Sequence, residues 1–227
     1  MSGRRICWPI AVVVALVALT ATAHAAVIAV ERRPSADRPL VAVFGGSLGA
    51  RRLNEATAEL YDVWRHRADI TLHHVSGPAG HEAAEAALAA QRRNGDALGY
   101  RLLRYEDRMP ELYAATSIAV CRAGATTVAE LAAAGVPSVL VPLPGAPGDH
   151  QTRNAQALVD AGAALLVSDA ECTGARLAAE LETLLADSAR LEAMAVAART
   201  LARPRAADDL AALVEEAAGK GSPCRSI

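Results

Sequence analysis

Between residues 40 and 167 the apolar positions fall into short, nearly unbroken runs rather than strict alternation. These are LVAVF (residues 40–44), ITLHHV (70–75), YRLL (100–103), SIAVC (117–121), SVLV (138–141) and AALLV (163–167). Continuous apolar character over so few residues predicts strands buried on both faces, as in a parallel sheet. The stretches between them are richer in Ala and polar residues and predict helices: 50–65, 79–93, a short one ending near Ala115, 126–134, and one beginning near His150. Further helices are expected over 177–185, 188–201 and 206–218, with a frayed tail from Gly219 to Ile227. Gly135 and Pro137 stop the fourth helix, and Asn94-Gly95-Asp96 marks a turn. Strands that alternate with helices along the whole chain predict a Rossmann-like, doubly wound parallel sheet.

One stretch concentrates the candidate chemistry. In VCRAGATTVAELAAAGVPSVLVPLPGAPGDHQTRNA (residues 120–155), two helices each begin just after the carboxyl end of a strand. Open α/β sheets bind ligands at that edge. The turn Arg122-Ala123-Gly124-Ala125 leads into a helix whose first N–H groups and dipole suit a phosphate. Thr126 and Thr127 can add hydroxyl hydrogen bonds. Glu130 lies three residues after Thr127 on the same helix face, and a carboxylate there suits the vicinal hydroxyls of a ribose. His150, Gln151 and Asn154 open the next helix and can hold a polar ring. The order is phosphate, ribose, then sugar. A strand–Gly–helix turn taken alone is ordinary structure, and the combination carries the reading.

A second Gly-rich turn, Gly45-Gly46-Ser47-Leu48-Gly49-Ala50, follows the first strand. Its glycines let backbone approach a ligand closely, and Ser47 can cap the helix or bind phosphate. It does not meet the GxGxxG dinucleotide fingerprint. His73 and His74 are neighbours on a strand, point to opposite faces and cannot chelate one metal together. They are expected to be structural, with no metal site and no cofactor.

Composition narrows the reading. The chain has 227 residues, 52% hydrophobic but only 3% aromatic, so Ala, Val and Leu supply the core. A net charge of −2 gives no bulk basic field for nucleic acid. Four scattered cysteines, Cys7, Cys121, Cys172 and Cys224, form no CxxC pair, which fits a reducing compartment without a disulfide framework.

Residues 6–30 are almost uninterrupted apolar sequence behind Arg4 and Arg5, followed by Arg32, Arg33 and Arg38. Three readings stand: a membrane-anchoring helix, a secretory signal with Ala23-His24-Ala25 at its cleavage site, or a remnant of a longer parent. A secreted enzyme would lack a cytoplasmic nucleotide-sugar donor, which weighs against the signal. Residues 31–39 read as a linker, 40–218 as the folded domain.

FGGSLGARRLN (44–54), YEDRMPELYAATSIAVCRAGATTVAELAAAGVPSVLVPLP (105–144) and DHQTRNA (149–155) together resemble the carboxyl-terminal domain of MurG-like glycosyltransferase family 28. These transferases add N-acetylglucosamine to the lipid-linked muramyl-pentapeptide precursor of peptidoglycan. The resemblance covers roughly residues 39 to 217. It implies one half of a GT-B fold and UDP-N-acetylglucosamine as donor. It also implies that the loop carrying Gly46, Ser47 and Gly49 lines the interdomain cleft, and that backbone of the loop from Glu106 to Met109 holds the uracil. Two residues depart from the family pattern. Leu48 replaces a common polar residue and Glu106 a common apolar one.

In that family the acceptor and the proposed general base belong to an amino-terminal domain, for which residues 1–39 leave no room. The expectation is a donor-binding half of an inverting transferase, with no catalytic residue assigned. It would work with a separate acceptor-domain protein and a lipid-linked acceptor at the cytoplasmic face of the membrane, through residues 6–30. The alternative is an inactive copy that binds nucleotide sugar or a partner protein.

Overall fold

The structure is a computed structural model and describes residues 34–35 and 38–220. The apolar segment 6–30, residues 31–33 and 36–37 of the linker, and residues 221–227 lie outside the described residues. Six strands form one parallel sheet: β1 (Leu40–Phe44), β2 (Thr71–Val75), β3 (Gly99–Leu103), β4 (Ile118–Cys121), β5 (Ser138–Leu140) and β6 (Ala164–Leu166). Each strand falls on a predicted apolar run: β1 matches it end to end, and the others differ by a single residue at one or both ends. The helices are α1 (Arg51–Trp64), α2 (His81–Gln91), α3 (Met109–Ala115), α4 (Ala125–Ala134), α5 (His150–Asp160), α6 (Gly174–Leu185), α7 (Ser188–Thr200) and α8 (Ala206–Lys220). The last helix runs through Gly219, where a tail was expected to begin, because Ala217, Ala218 and Lys220 keep the segment helix-forming.

The strand order is β3-β2-β1-β4-β5-β6. β1 pairs with β2 on one side and β4 on the other, with Phe44 opposite both Val75 and Cys121. The chain therefore winds outward in one direction from β1 through β3, and returns to wind the other way from β4. The crevice above the carboxyl ends of β1 and β4 is the topological switch point, where such sheets take ligands.

Alternation along the strands feeds two cores. Val41, Val43, Ile118, Val120 and Val139 face Leu53, Leu60 and Trp64 of α1 and Leu177, Leu181 and Leu184 of α6. Ala42, Phe44, Ala119, Cys121 and Leu140 face Tyr113 of α3, Leu131 of α4 and Leu158 of α5. Period-two side-chain alternation makes this division. It also separates the two histidines. His74 turns toward α1, where Nε2 lies 2.9 Å from Asn54 Oδ1 and Nδ1 lies 2.6 Å from Tyr100 Oη. Burial lowers its pKa from 6.5 to about 3, so the ring is neutral. His73 takes the other side, toward Glu106.

Among the described residues no helix is long and apolar enough to cross a membrane.

Candidate functional site

A cleft of about 460 Å³ opens at the switch point. Its floor is the last residue of β1, Phe44, and the last of β2, Val75. One wall is the β1–α1 turn with Gly46 and Ser47, another the β3–α3 loop with Tyr105, Glu106 and Met109. The opposite wall is the start of α4: Gly124, Ala125, Thr126, Thr127 and Glu130. Nine of the residues proposed from the sequence thus meet around one cavity, from three loops spread over more than eighty residues of chain.

The start of α4 opens on the cleft without a cap. Gly124 is the N-cap, with extended backbone (φ −63°, ψ 150°), and supplies no side-chain cap. The first turn carries no acidic residue. A Cβ on Gly124 would meet nothing nearer than Thr127 Oγ1 at 3.8 Å. No neighbour in the protein therefore requires glycine there, and the open side is the cleft.

Glu130 sits in the second turn of α4, half-buried, and accepts a hydrogen bond of 2.8 Å from the Tyr113 hydroxyl. Tyr113 is 1% exposed, and its ring stands edge-on to Phe44 at 5.9 Å between centroids. Burial, reinforced by the Glu130 carboxylate, holds the phenol pKa well above its ordinary value.

Glu106 does not stand free in the cleft. Its Oε2 lies 3.3 Å from His73 Nε2, a close contact of two nearly buried groups without hydrogen-bond alignment. Its Oε1 accepts from the Arg108 N–H at 3.0 Å. Burial keeps the His73 pKa below its ordinary value, against the pull of Glu106. The polar residue in place of an apolar shelf is thus tied into the β3–α3 loop, which it shapes.

Five candidates from the sequence are not in the cleft lining. Gly49 is packed closely against the turn after β2. Its φ is +82°, and a Cβ there would overlap the Ser76 carbonyl oxygen, while one on Gly77 would overlap Gly49. Arg122 turns inward. Nη1 donates to the carbonyls of Val141 and Pro142 at 3.0 Å each, and Nη2 lies 2.6 Å from Asp169 Oδ1. It fastens the carboxyl ends of β4, β5 and β6 together. Asn154 Nδ2 donates to the Ala123 carbonyl at 3.0 Å and steadies the turn before Gly124. Gln151 Oε1 accepts from the Leu143 N–H at 3.0 Å and holds the β5–α5 loop. His150 is exposed, with Nδ1 2.9 Å from the Pro147 carbonyl oxygen.

The structure adds Phe44, Val75, Tyr105 and Tyr113 to the site. Tyr113 was visible in outline: it follows Met109 by four residues and so shares its helix face. Phe44 and Val75 enter because they end strands at the ligand-binding edge.

An open parallel α/β sheet with an uncapped helix N-terminus over its switch point defines a doubly wound domain of the ligand-binding kind. Its family follows from comparison. The glycosyltransferase family 28 C-terminal domain matches residues 40–210, and the chain belongs to that family. It is 40% identical over 180 residues to the UDP-N-acetylglucosamine–N-acetylmuramyl-(pentapeptide) pyrophosphoryl-undecaprenol N-acetylglucosamine transferase of Desulforudis audaxviator, covering 79% of this chain and 48% of that one. The transferase of the same name from Acidothermus cellulolyticus is 44% identical over 183 residues, with 81% and 48% covered. Among solved structures, MurG of Acinetobacter baumannii superposes with a TM-score of 0.73 at 32% identity, over 84% of this chain and 55% of that one. The chain spans about half the length of the curated relatives it matches.

Proposed function

We propose that residues 40–218 are the UDP-N-acetylglucosamine-binding half of an inverting N-acetylglucosaminyltransferase of peptidoglycan synthesis. The observation that carries this reading is the meeting, in one cleft, of the open Gly124 turn, Glu130 and the β3–α3 loop. The relatives' names supply the donor and the undecaprenol-linked acceptor.

In this reading the diphosphate lies on the backbone N–H groups that begin α4, with the Thr126 and Thr127 hydroxyls beside it. The helix dipole and a first turn without a carboxylate favour that charge. Glu130 accepts from the ribose hydroxyls. The uracil lies against the loop from Tyr105 to Met109, shaped from behind by His73 and Glu106. Gly46 and Ser47 close the cleft from the β1 side. The sugar extends toward α5, where His150 is the exposed contact, and Gln151 and Asn154 hold the loops that frame it. Arg122 and Gly49 support the site without touching the donor.

An inverting transfer also needs a base near the acceptor hydroxyl and the acceptor held in line with the anomeric carbon. The proposal gives those tasks to an acceptor-binding domain outside residues 40–218. It places the reaction at the cytoplasmic face of the membrane, where a nucleotide sugar and an undecaprenol-linked acceptor meet.

Calorimetric titration of UDP-N-acetylglucosamine, and of UDP alone, into the folded chain tests the reading. Saturable binding of both is expected. Absence of binding by a folded chain would overturn it.

A further inference from the structure

Glu55 and Glu180 each pair with an arginine one turn away on the same helix, Arg51 and Arg176. Glu130 is reached from further off. The Tyr113 phenol that reaches it comes from another element, seventeen residues back in the chain, and is almost fully buried. The phenol cannot swing away, because its ring is packed against Phe44 and within the core under α4.

We propose that Tyr113 is the positioning residue that makes the site selective for a ribose over a deoxyribose. The inference rests on the nucleotide-binding reading above. A glutamate on an open helix face has three rotatable bonds, and ordering it on a ligand costs rotamer entropy. Tyr113 removes much of that cost before the ligand arrives, by fixing one carboxylate oxygen from below. Preorganisation of this kind raises affinity without a new contact to the ligand. The neighbour is also neutral. A buried phenol with a raised pKa stays protonated and always donates, so it orients the carboxylate without cancelling its charge. An arginine in the same place would compete with the ribose as a charged donor.

The test is the ratio of affinities for UDP and 2′,3′-dideoxy-UDP, measured by calorimetry on the chain and two variants. The unsubstituted chain is expected to prefer UDP at least tenfold. Tyr113→Phe keeps the packed ring and removes only the hydroxyl. It should weaken UDP at least fivefold and leave dideoxy-UDP within twofold, so that the preference collapses. Glu130→Asp keeps the charge but withdraws it from the phenol by one methylene, and should lose the preference in the same way, whether or not Tyr113→Phe folds. Equal weakening of both ligands in Tyr113→Phe would show a purely structural tyrosine and overturn the inference. So would a preserved ratio in either folded variant. If the unsubstituted chain binds neither nucleotide, the functional reading falls first and the inference with it.

Discussion

Arg122 Nη2 lies 2.6 Å from Asp169 Oδ1, and the same guanidinium donates to the carbonyls of Val141 and Pro142. One buried side chain thus fastens the loops that follow three adjacent strands. Asp169 is itself held from the other side, where Arg52 Nε donates to its backbone carbonyl at 3.1 Å. Removing the cation strands a carboxylate oxygen that is inaccessible to water. Arg122→Leu is expected to cost about 3 kcal/mol of unfolding free energy, the lower end for a broken buried pair because Asp169 is 24% exposed. Urea denaturation checks it. The double variant Arg122→Leu with Asp169→Leu should recover part of the loss, since it leaves no unpaired charge.

Gly124→Ala separates binding from folding. Its backbone is already in a region any residue adopts, so alanine gains by restricting the unfolded chain. Alanine is the poorer N-cap by a similar amount, and the two effects leave stability within about 0.5 kcal/mol. The added methyl projects where the diphosphate is proposed to lie. UDP affinity should fall at least tenfold by calorimetry, while the melting temperature stays put.

Glu130→Gln is the cleaner probe of the ribose contact. The amide oxygen still accepts from Tyr113, so no buried hydroxyl is orphaned and the fold is retained. UDP binding should weaken by about 1–3 kcal/mol, the usual range for a lost charged hydrogen-bond partner. Inorganic pyrophosphate, which has no ribose, should bind as before. An unchanged UDP affinity would remove Glu130 from the site.

Gly46 and Gly49 both have positive φ, +88° and +82°, yet they should respond differently. A Cβ on Gly46 meets nothing, so alanine there pays only backbone strain of about 1–2 kcal/mol. On Gly49 the Cβ also overlaps the Ser76 carbonyl. Adding overpacking to strain gives a loss of about 3 kcal/mol or more for Gly49→Ala. Chemical denaturation of the two variants distinguishes them.

His74 makes stability depend on pH. Its folded pKa, about 3, lies below the ordinary value of 6.5, so the unfolded chain takes up a proton that the folded chain refuses. The contribution is complete above about pH 6.5 and is lost as pH falls toward 3. The slope approaches about 1.4 kcal/mol per pH unit for this one group. His73, shifted in the same direction, adds to it. Unfolding free energies at about pH 7, 6 and 5 should decline, and His74→Gln should flatten the decline. That window lies above the titration of Asp69, whose pKa is lowered to about 2 chiefly by its hydrogen bond to Arg67.

Much of this domain was legible in local pattern. The apolar runs marked all six strands, most plainly the inner ones β1, β4 and β5, which are buried along nearly their whole length. Gly135, left-handed at φ +66°, ended α4 where the sequence said it would. Thr127 and Glu130 share a face because helix spacing alone puts them there. The sequence could not decide which way a side chain turns when two surroundings compete for it. Arg122 lies beside the cleft in sequence and is drawn into the fold by Asp169, forty-seven residues on. Gln151 and Asn154 are polar residues at a helix start, and both are taken up by backbone groups from other loops. Tyr113 reaches Glu130 only because α3 and α4 pack on the same face of the sheet. Even the cleft depends on β1 lying beside β4, a pairing across 77 residues that no local period encodes. Periodicity is a property of neighbours along the chain, and it determined the elements. The site belongs to neighbours in space, and only the packing of those elements decided it.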